Sequence, residues 1–151
     1  MKTKFTNAFM EVAYTFSKLS SARRLKVGAI VVKEDRVVSI GYNGMPSGWD
    51  NNCEEEAVWP NGHIAHLKTK PEVIHAEANA IAKLAKSTES GDGAVMFLTH
   101  APCMDCAKQI YTAGIKKVYF GSHYRDSSGI NFLTKCKVET ELWNIGGNIS
   151  S

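Results

Sequence analysis

The 151-residue sequence contains no apolar run near the ~20 residues that a membrane span needs. Its first residues, Met1-Lys2-Thr3-Lys4-Phe5, are basic, but no apolar core of a signal peptide follows. A cytoplasmic location is therefore expected, that of the host if the gene is viral. Repeats, low-complexity tracts and linkers are also missing, so residues 1–151 read as a single domain. Charge is nearly balanced, with 18 Lys and Arg against 15 Asp and Glu and a net charge of +3. Without a concentrated basic stripe, a nucleic-acid groove is not expected; a small anionic ligand fits the charge at least as well, and a plain surface imbalance explains it equally. Cysteine is scarce, at Cys53, Cys103, Cys106 and Cys136. In a chain lacking an export signal, Cys-x-x-Cys points to metal or redox chemistry rather than to a disulfide framework. What remains is ordinary for a globular core: 44% hydrophobic and 22% charged residues.

Periodicity supplies the elements. Phe5, Ala8, Phe9, Val12, Phe16 and Leu19 recur at helical spacing, which predicts an amphipathic helix over about 4–20. Residues 26–32 are apolar and β-branched and read as a strand buried on both faces. A polar turn at 33–36 leads into a second strand at 37–41. Residues 42–74, rich in Gly, Asn and Pro, read as a long irregular functional loop. Helix is expected at 75–87 and 103–113, and strand at 93–99 and 116–121; a short helix from about 128 and a strand near 137–142 complete the pattern. This alternation predicts an α/β fold, three layers of α/β/α with a mixed sheet.

Two motifs carry chemistry: His75-Ala76-Glu77 and Pro102-Cys103-Met104-Asp105-Cys106. An imidazole and two thiolates can hold Zn²⁺ and leave the fourth tetrahedral position to water, as catalytic zinc sites do. Glu77 is close enough to face that position as an acid/base without ligating the ion. The pattern H-x-E…P-C-x-x-C is that of zinc nucleobase deaminases. Pro102 suits the first turn of a helix, where a missing N–H is harmless. Cys103 and Cys106, three apart, then share one face of that turn, and the helix dipole favours both thiolates. Two other readings of these residues exist. The cysteines could form a redox pair, and a structural zinc would need a fourth ligand, for which Cys53 and His100 are available.

Around these motifs lie Val27-Gly28-Ala29, Gly41-Tyr42-Asn43-Gly44-Met45-Pro46-Ser47-Gly48, His75-Ala76-Glu77-Ala78-Asn79-Ala80-Ile81 and Ala113-Gly114-Ile115-Lys116. In this order, across most of residues 20–125, the chain resembles the deoxycytidylate (dCMP) deaminases of the zinc cytidine/deoxycytidylate deaminase superfamily, including the short phage-encoded members. The resemblance implies a cytidine deaminase-like fold with a five-stranded sheet. It implies hydrolysis of dCMP to dUMP and ammonia in thymidylate precursor synthesis. It also implies a homohexamer activated by dCTP and inhibited by dTTP. Carried over, His75, Cys103 and Cys106 are zinc ligands, Glu77 is the proton shuttle, Asn43 contacts the sugar, and the Ala76 backbone N–H meets the pyrimidine carbonyl. Gly44, Met45, Pro46 and Gly48 would belong to the loop for the regulatory triphosphate, with Mg²⁺ as its companion. Some members hold a second zinc; Cys53, His63 and His66 match part of that set, but Leu19-Ser20-Ser21-Ala22 supplies no cysteine.

The residues agree with parts of this. Asn43 offers a donor and an acceptor to a sugar hydroxyl. Gly44 permits positive φ and close approach to phosphates, although Asn-Gly is also a plain turn. A monophosphate needs cations, and Arg23, Arg24 and Arg125 are candidates because a guanidinium forks onto phosphate oxygens. Tyr124 is placed to pack on the base or reach the phosphate. Competing functions are deamination of dCTP or free cytidine, editing of RNA or single-stranded DNA, and a zinc-stabilised nucleotide sensor without turnover.

Overall fold

Strict two-residue alternation of apolar side chains divides the molecule into layers. The computed structural model describes residues 1–145. In chain order its elements are α1 (Thr3–Ser17), β1 (Gly28–Lys33), β2 (Arg36–Tyr42), β3 (Glu54–Val58), β4 (Ile64–Thr69), α2 (Ala76–Leu84), β5 (Val95–Leu98), α3 (Met104–Thr112), β6 (Lys117–Phe120), α4 (Ser128–Lys135) and β7 (Glu139–Leu142). Five strands form a mixed sheet in the order β2-β1-β5-β6-β7. The β2–β1 and β1–β5 pairs are antiparallel; β5–β6 and β6–β7 are parallel. The expected α/β/α layering with a five-stranded mixed sheet is what the chain adopts.

Ala29 and Val31 of β1, Met96 and Leu98 of β5, and Val118 and Phe120 of β6 point to one face. There they meet Ala76, Ala80, Ala107, Ile110 and Leu133 from α2, α3 and α4. The intervening residues Ile30, Val32, Phe97 and Tyr119 point to the other face and meet Met10 and Ala13 of α1. Strands covered on both faces can read as continuous apolar runs, as β1 and β5 do.

One glycine sets how closely a helix approaches the sheet. A Cβ at Gly41 of β2 would collide with the Ala76 carbonyl and lie 2.7 Å from the Ala80 backbone nitrogen. Gly41 thus lets the first turn of α2 lie directly on the sheet.

Residues 42–74 differ from the expected irregular loop. They contain a second, two-stranded sheet, the antiparallel hairpin β3–β4. Its tip is an Asn61-Gly62 turn with Gly62 at φ 89°, closed by Trp59 N–H to the His63 carbonyl at 2.8 Å. No helix among the described residues is long and apolar enough to cross a membrane.

Candidate active site

Two helix N-termini converge over one edge of the parallel strands. His75 is the N-cap of α2 and Cys103 the N-cap of α3, both extended, with φ/ψ of −68°/151° and −72°/171°. Neither side chain makes a capping bond, so both are free to turn away from their helices. Their carbonyls start the helices instead, accepting from Asn79 N–H and Ala107 N–H at 2.9 Å each. Cys106 follows three residues after Cys103 and is buried. Pro102 stands one residue before the N-cap rather than in the first helical turn, because α3 begins at Met104 and Cys103 stays extended.

His75 Nδ1 lies 3.6 Å from Cys103 Sγ and 3.4 Å from Cys106 Sγ. Bond lengths of about 2.0–2.1 Å for Zn–N and 2.3 Å for Zn–S at a tetrahedral angle separate N and S by roughly 3.6 Å, so this donor set fits the ion. Among the described residues it is the one group of three or more metal-ligating side chains whose donor atoms lie within 4.8 Å of one another. Neither Cys53 nor His100 joins it as a fourth ligand. His100 Nδ1 is instead paired with Thr99 Oγ1 at 2.8 Å, and burial lowers its basicity.

The three donor groups perturb one another strongly. Hydrogen bonding from Cys106 and then from His75 pulls the Cys103 thiol down to about 4. The same thiolate, with burial, pushes the Cys106 thiol up. His75 is raised, first by its hydrogen bond with Cys103. Glu77, in the first turn of α2 and 4% exposed, is raised to about 7, chiefly by burial.

The same cavity is lined by His75, Ala76, Glu77, His100, Ala101, Cys103 and Tyr124 from the helix side, and by Arg24, Leu25, Val27, Asn43, Cys53, Glu54, Thr69 and Val73 from the loops and the hairpin. Asn43 is at the wall, but its amide already clips two segments together. Its Oδ1 accepts Val27 N–H, and its Nδ2 donates to the Leu25 carbonyl, both at 2.8 Å. One amide N–H remains for a ligand.

The arginines separate. Arg23 is ion-paired, with Nη1 2.7 Å from Glu56 and Nε 3.6 Å from Glu54. Arg24 has no carboxylate partner among the described residues, and its Nη1 donates to Thr69 Oγ1 at 3.0 Å. Arg125 does not line the cavity; its guanidinium carbon lies 5.9 Å from the Tyr124 ring. Glu54, Thr69 and His100 are cavity residues with no sequence motif behind them, and only the Asn61-Gly62 turn hints at the hairpin that brings in two of them.

Two expectations do not fit. Cys53, His63 and His66 do not gather into a second metal site. Cys53 is buried at the hairpin base, 3.5 Å from Ser21 Oγ; His66 faces Ala57 within the ladder, and His63 closes the tip. The ladder holds them apart, because each strand residue adds about 3.3 Å. Gly44 is not in the left-handed region: it forms a β-bridge with Ile74, and Gly48 carries the positive φ of 86°. Gly44, Met45, Pro46 and Gly48 all lie outside the cavity wall, and Met45 packs against Ala22, Cys53 and Val73.

Comparison with known proteins agrees with this geometry. Residues 3–122 match the family model described as the cytidine and deoxycytidylate deaminase zinc-binding region. The chain is 42% identical over 123 residues to the deoxycytidylate deaminase of Homo sapiens, covering 79% of this chain and 66% of that one. It is 37% identical over 117 residues to ComE operon protein 2 of Bacillus subtilis, spanning 59% of that protein's length. Among solved structures it superposes with a TM-score of 0.83 on the dCMP deaminase of cyanophage S-TIM5 in complex with dCMP and dUMP, at 45% identity, covering 95% of this chain and 99% of that chain. The family match takes in both halves of the metal-binding set and four of the five strands of the sheet that carries them, and the chain belongs to the cytidine and deoxycytidylate deaminase zinc-binding family.

Proposed function

We propose that this protein hydrolyses dCMP to dUMP and ammonia. One observation carries the reading: a single cavity is lined both by His75 and Cys103 of the metal-binding set, with buried Glu77, and by Arg24, a guanidinium with no carboxylate partner among the described residues. A cytosine ring placed against the first group would present its phosphate to the second. The likeness to the cyanophage enzyme bound to dCMP and dUMP supports the same substrate.

His75, Cys103 and Cys106 would hold Zn²⁺, which when bound lowers the pKa of a water in its open position from 15.7 towards roughly 7. Glu77 accepts one proton from the attacking water and passes it to the ring nitrogen. It then takes the proton of the new C4 hydroxyl and gives it to the amine, so that the C4 carbonyl forms as the C4–N bond breaks and ammonia leaves. Burial pushes the Glu77 carboxyl above the ordinary carboxylate range, which favours proton uptake, and a bound cation beside it would offset part of that rise. The Ala76 N–H, at the first position of α2, has no partner within its helix and is available to the pyrimidine carbonyl. The free N–H of Asn43 points the reading to a sugar hydroxyl, Tyr124 to the base or phosphate, and Arg24 to the phosphate. Ammonia release from dCMP, assayed beside deoxycytidine, tests the proposal: turnover of dCMP with a clear preference over the nucleoside is expected, and no release from either would overturn it.

Finer features go with this reading: a homohexamer in the cytoplasm, activated by dCTP and inhibited by dTTP at Gly44, Met45, Pro46 and Gly48, with Mg²⁺ accompanying the triphosphate. Their support is the likeness of that segment to the family and its position off the cavity wall, where a second nucleotide would not compete with the first. dCMP saturation curves with each triphosphate, and the mass in solution by light scattering, are the checks.

A further inference from the structure

We infer that Glu54 and Thr69, facing each other across the β3–β4 ladder, form a clamp that sets the position of Arg24 at the substrate cavity; this rests on the reading that Arg24 receives the substrate's phosphate. Glu54 is the first residue of β3 and is 1% exposed. Its carboxylate is turned onto the segment before β1. Oε2 accepts Arg23 N–H and Arg24 N–H at 3.0 Å each, and Oε1 accepts Arg23 N–H at 3.2 Å. Two consecutive peptide N–H groups on one carboxylate fix the direction in which both side chains leave the backbone, and bonds to an anionic acceptor are the strong kind. The ladder pairs Glu54 with Thr69. Thr69 Oγ1 then takes the far end of Arg24, accepting from Nη1 at 3.0 Å. One cross-strand pair therefore holds Arg24 at its backbone and at its guanidinium.

The neighbouring arginine shows what the arrangement accomplishes. Arg23 leaves the same pinned peptide and is neutralised by Glu54 and Glu56. Among the described residues Arg24 receives only a neutral hydroxyl and keeps its charge for a ligand. Glu54 at the backbone, with Glu56 and Thr69 at the side chains, thereby sorts two adjacent arginines, one into an ion pair and one onto the cavity wall. Glu54 and Thr69 are positioning residues: they act on the phosphate end of the substrate through Arg24, without touching the reacting carbon.

The test is steady-state kinetics on dCMP and on deoxycytidine, which keeps base and sugar but lacks the phosphate, for Arg24→Gln, Glu54→Gln, Thr69→Val and the Arg24→Gln/Glu54→Gln double variant. Glu54→Gln is expected to lower the preference for dCMP over deoxycytidine by about tenfold, mainly through KM, since bonds to charged groups have that order of effect. Thr69→Val is expected to act in the same direction by a smaller factor. The double variant should be no worse than Arg24→Gln, because both substitutions remove the same contact. Were Arg24→Gln to leave the preference unchanged, the phosphate reading would fall and the clamp with it. Were Arg24→Gln to abolish the preference while Glu54→Gln and Thr69→Val retain it, the clamp alone would be wrong. Equal losses on both substrates, falling on kcat, would make Glu54 a mere fold residue and also overturn the inference. Should Glu54→Gln not fold, Thr69→Val decides: a lowered preference supports the clamp, and an unaltered one refutes it.

Discussion

The cavity has two sides built in different ways. On one side, α2 and α3 bring His75, Glu77, Cys103 and Cys106 together from two short sequence motifs, each local and each at a helix start. On the other, Arg24, Asn43, Glu54 and Thr69 come from four separated stretches and are held by polar bonds spanning 16 to 45 residues of sequence. The helix side takes its geometry from backbone regularity and a buried sheet. The hairpin side takes it from individual side-chain contacts, each replaceable and each needing the others. Damage to the first should therefore appear in zinc and kcat, and damage to the second in KM and substrate preference.

The most severe break of the helix side is Cys106→Ser. Loss of a buried thiolate from a three-ligand set is expected to drop zinc below one per chain and to take activity below detection, measured by metal analysis and ammonia release. Chelation of the native protein should give the same loss, restored by added Zn²⁺. Glu77→Gln separates the metal from the proton transfer. It keeps the ligands, so zinc should stay at one per chain while kcat falls by about 10²–10⁴. Near-native turnover in that variant would remove Glu77 from its role.

The hairpin side is sharpened by comparing two arginines. Arg24→Gln is expected to raise KM for dCMP by about tenfold, with kcat changed far less. Arg125→Gln, whose guanidinium is outside the cavity wall, should change KM by less than about twofold. If Arg125→Gln proved the more damaging, the phosphate would lie on the Tyr124 side of the cavity.

What the sequence made legible follows the same division. The proposed zinc set needed only spacing: an N-cap residue and one three further on, Cys103 and Cys106, meet at one helix start, and two residues place Glu77 beside His75 without ligating. β1 and β5 were readable because burial on both faces leaves them almost wholly apolar. The hairpin was not. β3 opens Glu54-Glu55-Glu56, a run that strand propensity disfavours, and β4 exposes Ile64 while half-burying Ala65, so hydrophobicity does not follow the faces. Arg23 and Arg24 were equal in sequence, and only partners 33 and 45 residues away, Glu56 for Arg23 and Thr69 for Arg24, distinguish their guanidinium groups. Asn43 was readable as a polar anchor, but its task of clipping Leu25 and Val27 depends on which backbone groups the fold brings near.

Gly129 supports the helix side by packing alone. It lies in α4, and a Cβ there would collide with the Pro102 carbonyl and stand 2.9 Å from the Cys103 carbonyl. α4 thus presses on the backbone that carries a zinc ligand. Gly129→Ala must shift α4 or the Cys103 segment, with an expected loss of about 1–3 kcal/mol of stability, as overpacking gives. Zinc affinity should weaken by about tenfold, as when a ligand's support is disturbed. A thermal melt with and without added zinc would show both, and a melt like the native protein's would mean that α4 yields freely.

The smallest effects come from the glycines of the proposed regulatory segment, and they have opposite signs. Gly48 has φ 86°, so Gly48→Ala is expected to lower stability by about 1 kcal/mol. Gly44 sits in a β-bridge outside the left-handed region, and an added Cβ would meet nothing within 4 Å. There Gly44→Ala should raise stability by about 0.4–1 kcal/mol, by narrowing the unfolded ensemble. The contrast bears on regulation because nothing among the described residues requires glycine at 44. If close approach of a triphosphate is the requirement, Gly44→Ala will melt higher than the native protein and yet lose the response of the dCMP curve to dCTP. A variant that is both more stable and fully responsive would take Gly44 out of the regulatory site.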